Sequence, residues 1–421
     1  MANKKRRLKI LLFSFLHGLF MLVLTFYWLS LPYTFGDEAF LIKWTSLVKK
    51  ELFGIDPKPA PEEILFVDVS ANKTTIPATD LFGPSDYNRR VITDRQQISD
   101  LLEVMVPFRS DLRLVLLDIL FQDSTVYDSL LNARLTALDD KVLGVSHLEN
   151  GTELIRPIVH LPYALATYRA SDDLFLKYPL EMQDSLETIP LVLLEKLNSY
   201  QHEKWAGLHW INGRLSFPAP LVDFKIRNSD FRIGSGMEES NYTVFDLGTI
   251  MKTRELMGEE GMREYFQDRI VLVGDFNTDV HRTPFDQMAG ILLIYNAYLT
   301  LLDGGGSITI YWMLFLVIGF TLLSYRIFSE LKVNKPQWLS KVFQSKMGNF
   351  IFNSLDEALL LTMLTIFSYF LFGIHINILI LLVYIKSVEY VWKLMRKSGR
   401  QVAKDKDQTE VQDQVQTQSQ K

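Results

Sequence analysis

Three aspartates each close a short apolar run: Asp68 in ILFVDVS, Asp118 in LVLLDILF and Asp275 in IVLVGDFNTDVHRTPFD. The last stretch adds Asp279, His281 and Thr283 a few residues on. Carboxylates, an imidazole and a hydroxyl can together hydrogen-bond a polar ligand, or surround a hard divalent ion with donors. A metal-dependent hydrolase built on Asp68, Asp118, Asp275, Asp279 and His281 is therefore the enzymatic reading. No diagnostic spacing accompanies it. G-x-S-x-G, H-E-x-x-H, P-loop and dinucleotide glycine patterns are absent, and HEKW at His202 lacks the second histidine. A plainer reading gives each aspartate a helix cap or loop turn, and leaves a loop histidine solvated or bonded to backbone. No catalytic residue, metal ligand or cofactor is assigned. Asp68, Asp118, Asp275, Asp279, His281 and Thr283 stand as candidate ligand-binding residues, because ligands of parallel α/β sheets bind outside the carboxyl ends of strands.

Those aspartates need strands behind them. Ile64–Val69, Leu114–Ile119, Lys141–Val145 and Ile270–Gly274 are short, continuously apolar runs that read as buried strands, and Leu221–Ile226 is strand-like. Between the first two, Ile98, Leu101, Leu102 and Met105 repeat at helical spacing after Thr93-Asp94, and Asp123–Leu138 carries the next amphipathic pattern. Strand, helix, strand with apolar rather than alternating strands predicts an α/β domain, a largely parallel sheet flanked by helices. The pattern from Leu148 to Lys204 is weak and reads as helices and loops.

Long apolar runs bracket this domain. Ile10–Leu31 has no charge and is long enough for a ~30 Å hydrocarbon core, with Lys4, Lys5, Arg6, Arg7 and Lys9 before it and Asp37 and Glu38 after. It lacks a small-residue cleavage pattern, so an uncleaved anchor is expected rather than a signal peptide. Residues 308–327, 354–373 and 376–392 read as three further spans, separated by a basic loop at 328–353 and followed by Lys393, Arg396, Lys397 and Arg400. The positive-inside rule then places residues 1–9, 328–353 and 393–421 in the cytoplasm and 32–307 outside. Lys386 and Glu389 lie inside the fourth span at i, i+3 spacing, with Asp356 and Glu357 expected near Lys393 across the hairpin. Gln401–Lys421 reads as a disordered tail, leaving no cytoplasmic catalytic module. A net charge of −5, with basic residues clustered beside the apolar runs, argues against nucleic acid, and the absence of cysteine excludes disulfides and thiol chemistry.

The stretch DRIVLVGDFNTDVHRTPFDQMAGILLIYNAYLTLLDG, Asp268–Gly304, resembles the second type of CHASE domain, an extracellular sensory module associated with cyclases and histidine kinases. Gly274, Asp275, Thr283, Pro284, Gly290, Asn296 and Ala297 carry the likeness; LFVDVS, RLVLLDILFQD with Asp118 and Phe121, Asp128 with Leu131, and NYTVFDLGTIM extend it over residues 10–394. Arg95 is an approximate match. The family's acidic and histidine positions after Gly290 are Leu292 and Ile294 here, so Ile291, Leu292, Ile294, Leu299 and Leu302 are expected to pack. The resemblance implies a sensor or scaffold in a bacterial inner membrane, its main domain periplasmic or extracellular. It would bind an unknown small ligand or a membrane or periplasmic protein and act through separate proteins. Gly304-Gly305-Gly306 before the second span is expected to form a flexible, decoupling joint.

Overall fold

The computed structural model describes residues 2–32, 36–54, 58–77, 89–168, 174–183, 185–231, 242–329, 346–396 and 398, in two units: Met1–Leu29 with Thr309–Lys421, and Ser30–Ile308. The expected tail at 401–421 and most of the basic loop lie outside the described residues. Helix α1 (Ala2–Ser30) opens the first unit and α2 (Gly36–Phe53) the second.

Ser30–Ile308 is built on one seven-stranded sheet. Its strands are β1 (Ile64–Asp68), β2 (Leu114–Leu117), β3 (Val142–Glu149), β4 (Glu153–Ile155), β5 (Tyr163–Leu165), β6 (Val244–Asp246) and β7 (Ile270–Gly274). They lie in the order β6-β1-β7-β2-β3-β4, with β5 also paired to β3, and only β3 with β4 is antiparallel. The four expected buried strands, at β1, β2, β3 and β7, are present and pair in parallel. Both faces of the central strands are apolar because both are covered: Ile64, Phe66, Leu114, Leu116, Ile270 and Leu272 enter one core, and Leu65, Val67, Val115, Leu117, Val271 and Val273 the other.

Helices α3 (Arg95–Met105), α4 (Asp128–Leu138) and α6 (Leu247–Phe266, interrupted at Gly258) cover the second of these faces; α5 (Ile189–Asn198) and α7 (Gly290–Leu302) cover the first. Asp94 caps α3, its carboxylate accepting from Gln96 N and Gln97 N, and Asp246 caps α6 through Thr249 N. The expected packing role of α7 holds: Ile291, Leu292, Ile294 and Leu299 are buried and Leu302 packs on the same core. Arg95, Phe121 and Asp128 meet. The Arg95 guanidinium is buried, donates to Asp128 and stands 5.4 Å from the centre of the Phe121 ring.

Leu221–Ile226 is not a strand. Its backbone is bonded to side chains of α7 instead, Asp223 N to the Thr300 hydroxyl at 2.9 Å and Ile226 N to Asn296 Oδ1 at 2.9 Å, while Asn296 Nδ2 returns to Ile226 O at 2.8 Å. The glycine joint is a packed turn rather than a flexible one. Gly305 N donates to Thr300 O and Gly306 O accepts from Phe217 N, while Ile308 N donates to Leu215 O. A Cβ on Gly305 would lie 2.7 Å from Thr300 O, and one on Gly306, at φ +80°, 2.8 Å from Pro220. These glycines are close-approach residues, and their backbone freedom is used up in the turn.

In the first unit, α8 (Ile310–Ser329), α9 (Lys346–Phe372) and α10 (378–396) accompany α1. Two of the four expected spans, Lys4–Ser30 and Ile310–Ser329, are long and apolar enough to cross a bilayer. Glu357–Phe372 is apolar but shorter, and 378–396 carries Lys386, Glu389, Lys393 and Arg396. Gly18 lets α1 approach α8 closely, since a Cβ there would sit 2.8 Å from the Thr321 hydroxyl. The Lys386 ammonium lies 3.1 Å from Glu357 and 2.9 Å from Glu389, and Lys393 reaches Glu389 at 2.6 Å. Glu357 therefore pairs with Lys386 and not with Lys393.

Candidate ligand-binding site

Beyond the carboxyl ends of β2 and β3 lies a cavity of about 230 Å³. Asp118, His147, Tyr168, Phe175, Tyr178, Asp279, His281 and Gly290 are among the residues lining it. Asp118 follows directly on β2, and His147 belongs to the carboxyl-terminal half of β3. Asp279 and His281 stand two residues apart at the start of the hairpin Val280–Arg282/Gln287–Ala289, a spacing that puts both side chains on one side of extended backbone. His281 Nε2 lies 3.0 Å from Asp279 Oδ1, and its Nδ1 lies 2.5 Å from the Tyr168 hydroxyl, forming a carboxylate–imidazole–phenol chain along the wall.

Gly290, the first residue of α7, makes this possible. A Cβ there would fall 2.3 Å from Asp279 Oδ2 and 3.4 Å from Asp118 Oδ2, so only glycine admits both carboxylates beside the helix start. Burial, with the negative charges of Asp279 and Asp275 behind it, pushes the Asp118 carboxyl up to about 8. Among the described residues no group donates a hydrogen bond to it, so it is free to bond whatever enters the cavity. Burial lowers the His147 imidazole against the pull of Asp279, leaving a neutral ring. Tyr178, raised by burial and then by Asp118, keeps its proton and donates to Ala166 O at 3.0 Å. The site thus presents one carboxyl held mainly protonated near neutral pH, a second carboxylate, two imidazoles and an aromatic wall.

The other expected residues have different work. Asp68 accepts from Ser70 N, the Ser70 hydroxyl, Phe276 N and Asn277 Nδ2, tying the β1 loop to the β7 loop. Asp275 accepts from Asn277 N at 3.0 Å, Thr278 N at 2.7 Å and the Thr278 hydroxyl, and pairs with Lys73 at 2.9 Å. Burial alone would raise that carboxyl; the Thr278 bonds and Lys73 outweigh it and hold it well below the usual carboxylate range. Thr283 is buried and its hydroxyl bonds Asp286 O and N, turning the hairpin. Neither aspartate nor Thr283 lines the cavity. His147 and Tyr168 carry no mark in the sequence reading: the third strand runs past its expected end at Val145, and Tyr168 falls within the weakly patterned stretch.

A parallel sheet covered on both faces thus carries, outside its strand ends, a cavity in which a few polar groups converge among apolar and aromatic walls. The sequence model of the CHASE2 domain matches residues 16–325. The chain belongs to the CHASE2 domain family. No curated protein and no solved structure matches it. CHASE2 is an extracellular sensory domain, which supports a sensor role for this chain. Gly274 and Gly290 sit at close contacts of the CHASE2 domain: a Cβ on Gly274 would lie 2.9 Å from Ile291 Cβ, locking α7 to β7 next to the cavity.

Proposed function

We propose that this CHASE2 protein is a membrane-anchored sensor whose outer domain binds a small polar ligand in the cavity between Asp118, Asp279, His281 and Tyr168, and which acts through separate membrane or periplasmic proteins. The cavity carries the reading. Its acids, imidazoles and aromatic wall converge at the carboxyl ends of parallel strands, and the Asp118 carboxyl lacks a protein partner among the described residues. Binding without turnover is the simplest use of such a site, because Asp68 and Asp275, two of the five residues of the hydrolase reading, are committed to loop hydrogen bonds and do not line the cavity.

Anchoring rests on α1 and α8, with basic clusters flanking the same side of the apolar runs in a bacterial inner membrane. The α9–α10 hairpin completes a four-span topology with both termini inside, its Lys386 charge neutralised by Glu357 and Glu389. Two experiments test this. Reporter fusions after Gly304 and at the C terminus should report opposite compartments, and equal signals defeat the topology. Full-length protein in nanodiscs, titrated with a library of polar metabolites and followed by thermal unfolding, should show saturable stabilisation that is lost in Asp279→Asn. Metal-dependent turnover abolished by Asp118→Asn would replace the sensor with an enzyme.

A further inference from the structure

The histidine of HEKW acquires its missing partner from the fold. His202–Trp205, Leu208–Ile211 and Arg214–Ser216 form a three-stranded antiparallel sheet in which Lys204 stands opposite His209. This register brings His209 beside His202. Their rings stack with centroids 5.3 Å apart, and His202 Nε2 is 3.0 Å from His209 Nδ1. His209 is buried, and His202 is intermediate as a residue but has only 3% of its side chain exposed.

Carboxylates close the other side. The ribbon Glu181–Met182/Leu186–Glu187 pairs Glu181 with Glu187 and sets their Oε1 atoms 3.7 and 3.5 Å from His202 Nδ1. Glu195 joins them from α5: donor atoms of Glu187, Glu195 and His202 lie within 4.8 Å of one another, as do those of Glu181, His202 and His209. Ligands at ~2.0–2.2 Å from a tetrahedral zinc ion stand roughly 3.3–3.6 Å apart, so a small closure assembles a site.

We propose that His202, His209 and Glu181 bind a structural zinc ion, with Glu187 next to it. Two imidazole nitrogens with a carboxylate suit zinc, whereas magnesium and calcium take oxygen donors. Lys204 holds Glu181 Oε2 at 2.7 Å, leaving Oε1, the oxygen that faces His202, for the metal; a bond of this kind orients a ligand from outside. The ion would staple the Glu181–Glu187 ribbon to a first strand whose Glu203, Lys204 and Trp205 are all exposed.

The test uses untagged full-length protein in detergent, stripped with a chelator, dialysed against ZnCl2 and analysed for bound metal and thermal unfolding. One zinc per chain and a raised Tm are expected, with MgCl2 producing neither. His209→Gln and Glu181→Gln should each weaken zinc binding by at least about tenfold, the loss that even an outer-shell change produces. His281→Gln, in the separate cavity, should leave it intact. No retained zinc, or zinc lost in His281→Gln but kept in Glu181→Gln, overturns the proposal; should His209→Gln fail to fold, Glu181→Gln decides alone.

Discussion

Replacing Asp118 by asparagine should flatten part of the pH dependence of stability, and the direction follows from its surroundings. The carboxyl rises from 3.8 to about 8 through burial and then the charges of Asp279 and Asp275. Between about pH 4 and about pH 8 the folded chain therefore keeps a proton that the unfolded chain has released, so stability falls as pH rises through that window and levels off above it. Roughly four pKa units at ~1.36 kcal/mol each set an upper bound of about 6 kcal/mol. The carboxyl faces a cavity that admits solvent rather than solid protein, which brings the expected slope down to about 2–3 kcal/mol. Asparagine keeps the shape and cannot titrate. His147, held neutral by burial, contributes with the opposite sign, losing stability as pH falls below its ordinary value of 6.5. The readout is therefore the difference between wild type and Asp118→Asn, followed by thermal unfolding in detergent at a series of pH values. Wild type should lose about 5 °C more than the variant across the window. Parallel curves would show that Asp118 ionises normally and would remove the physical basis for its role.

Arg95→Met should cost about 3 kcal/mol in denaturant unfolding, because it strands the Asp128 carboxylate and vacates the guanidinium's place at Phe121; a neutral result would mean the pair is worth no more than its apolar replacement. Asp275→Asn should lose about 1–3 kcal/mol, mainly the Lys73 pair and the Thr278 hydroxyl bond. Since that carboxyl is held low, its contribution in wild type is present at neutral pH and disappears as pH drops below about 4, and an acid titration of both proteins should converge. Gly306→Ala should cost about 1–3 kcal/mol, because φ is +80° and the new Cβ meets Pro220 at 2.8 Å; an unchanged Tm would restore the flexible-joint reading.

Most of the sheet was legible because burial on both faces leaves no ambiguity in the residues. LVLL and IVLVG are apolar at every position and ILFVD at every position before its closing Asp68, a pattern that neither an exposed loop nor a half-buried strand shows. Leu221–Ile226, LVDFKI, instead sets Asp223 and Lys225 among apolar residues in the alternation of a half-buried strand, and it is not a strand, since backbone groups of Asp223 and Ile226 are met by Thr300 and Asn296, 77 and 70 residues on in the chain. Local pattern reports that a segment is buried, not what bonds its backbone. The glycine run misled for a related reason. Three glycines signal either freedom or crowding, and only the positions of Thr300 and Pro220 decide between them.

The strand-end aspartates divide along a line the sequence does contain. Asp68 is followed two residues later by Ser70, and Asp275 by Asn277 and Thr278; each carboxylate turns back on those nearby donors in the manner of an Asx turn. Asp118 is followed by Ile119, Leu120 and Phe121, which offer no side-chain donor. Its carboxyl can be satisfied only by something distant in the chain or by something that is not the chain. The structure brings near it the carboxylate of Asp279, which cannot donate, and a glycine, which leaves room. An acid closing a buried strand, with no local donor and a like charge across a cavity, is costly unless an incoming group supplies the missing hydrogen bond or counter-charge. That cost is borne by Asp118 and not by Asp68 or Asp275, which is why the ligand reading rests on the first and releases the other two.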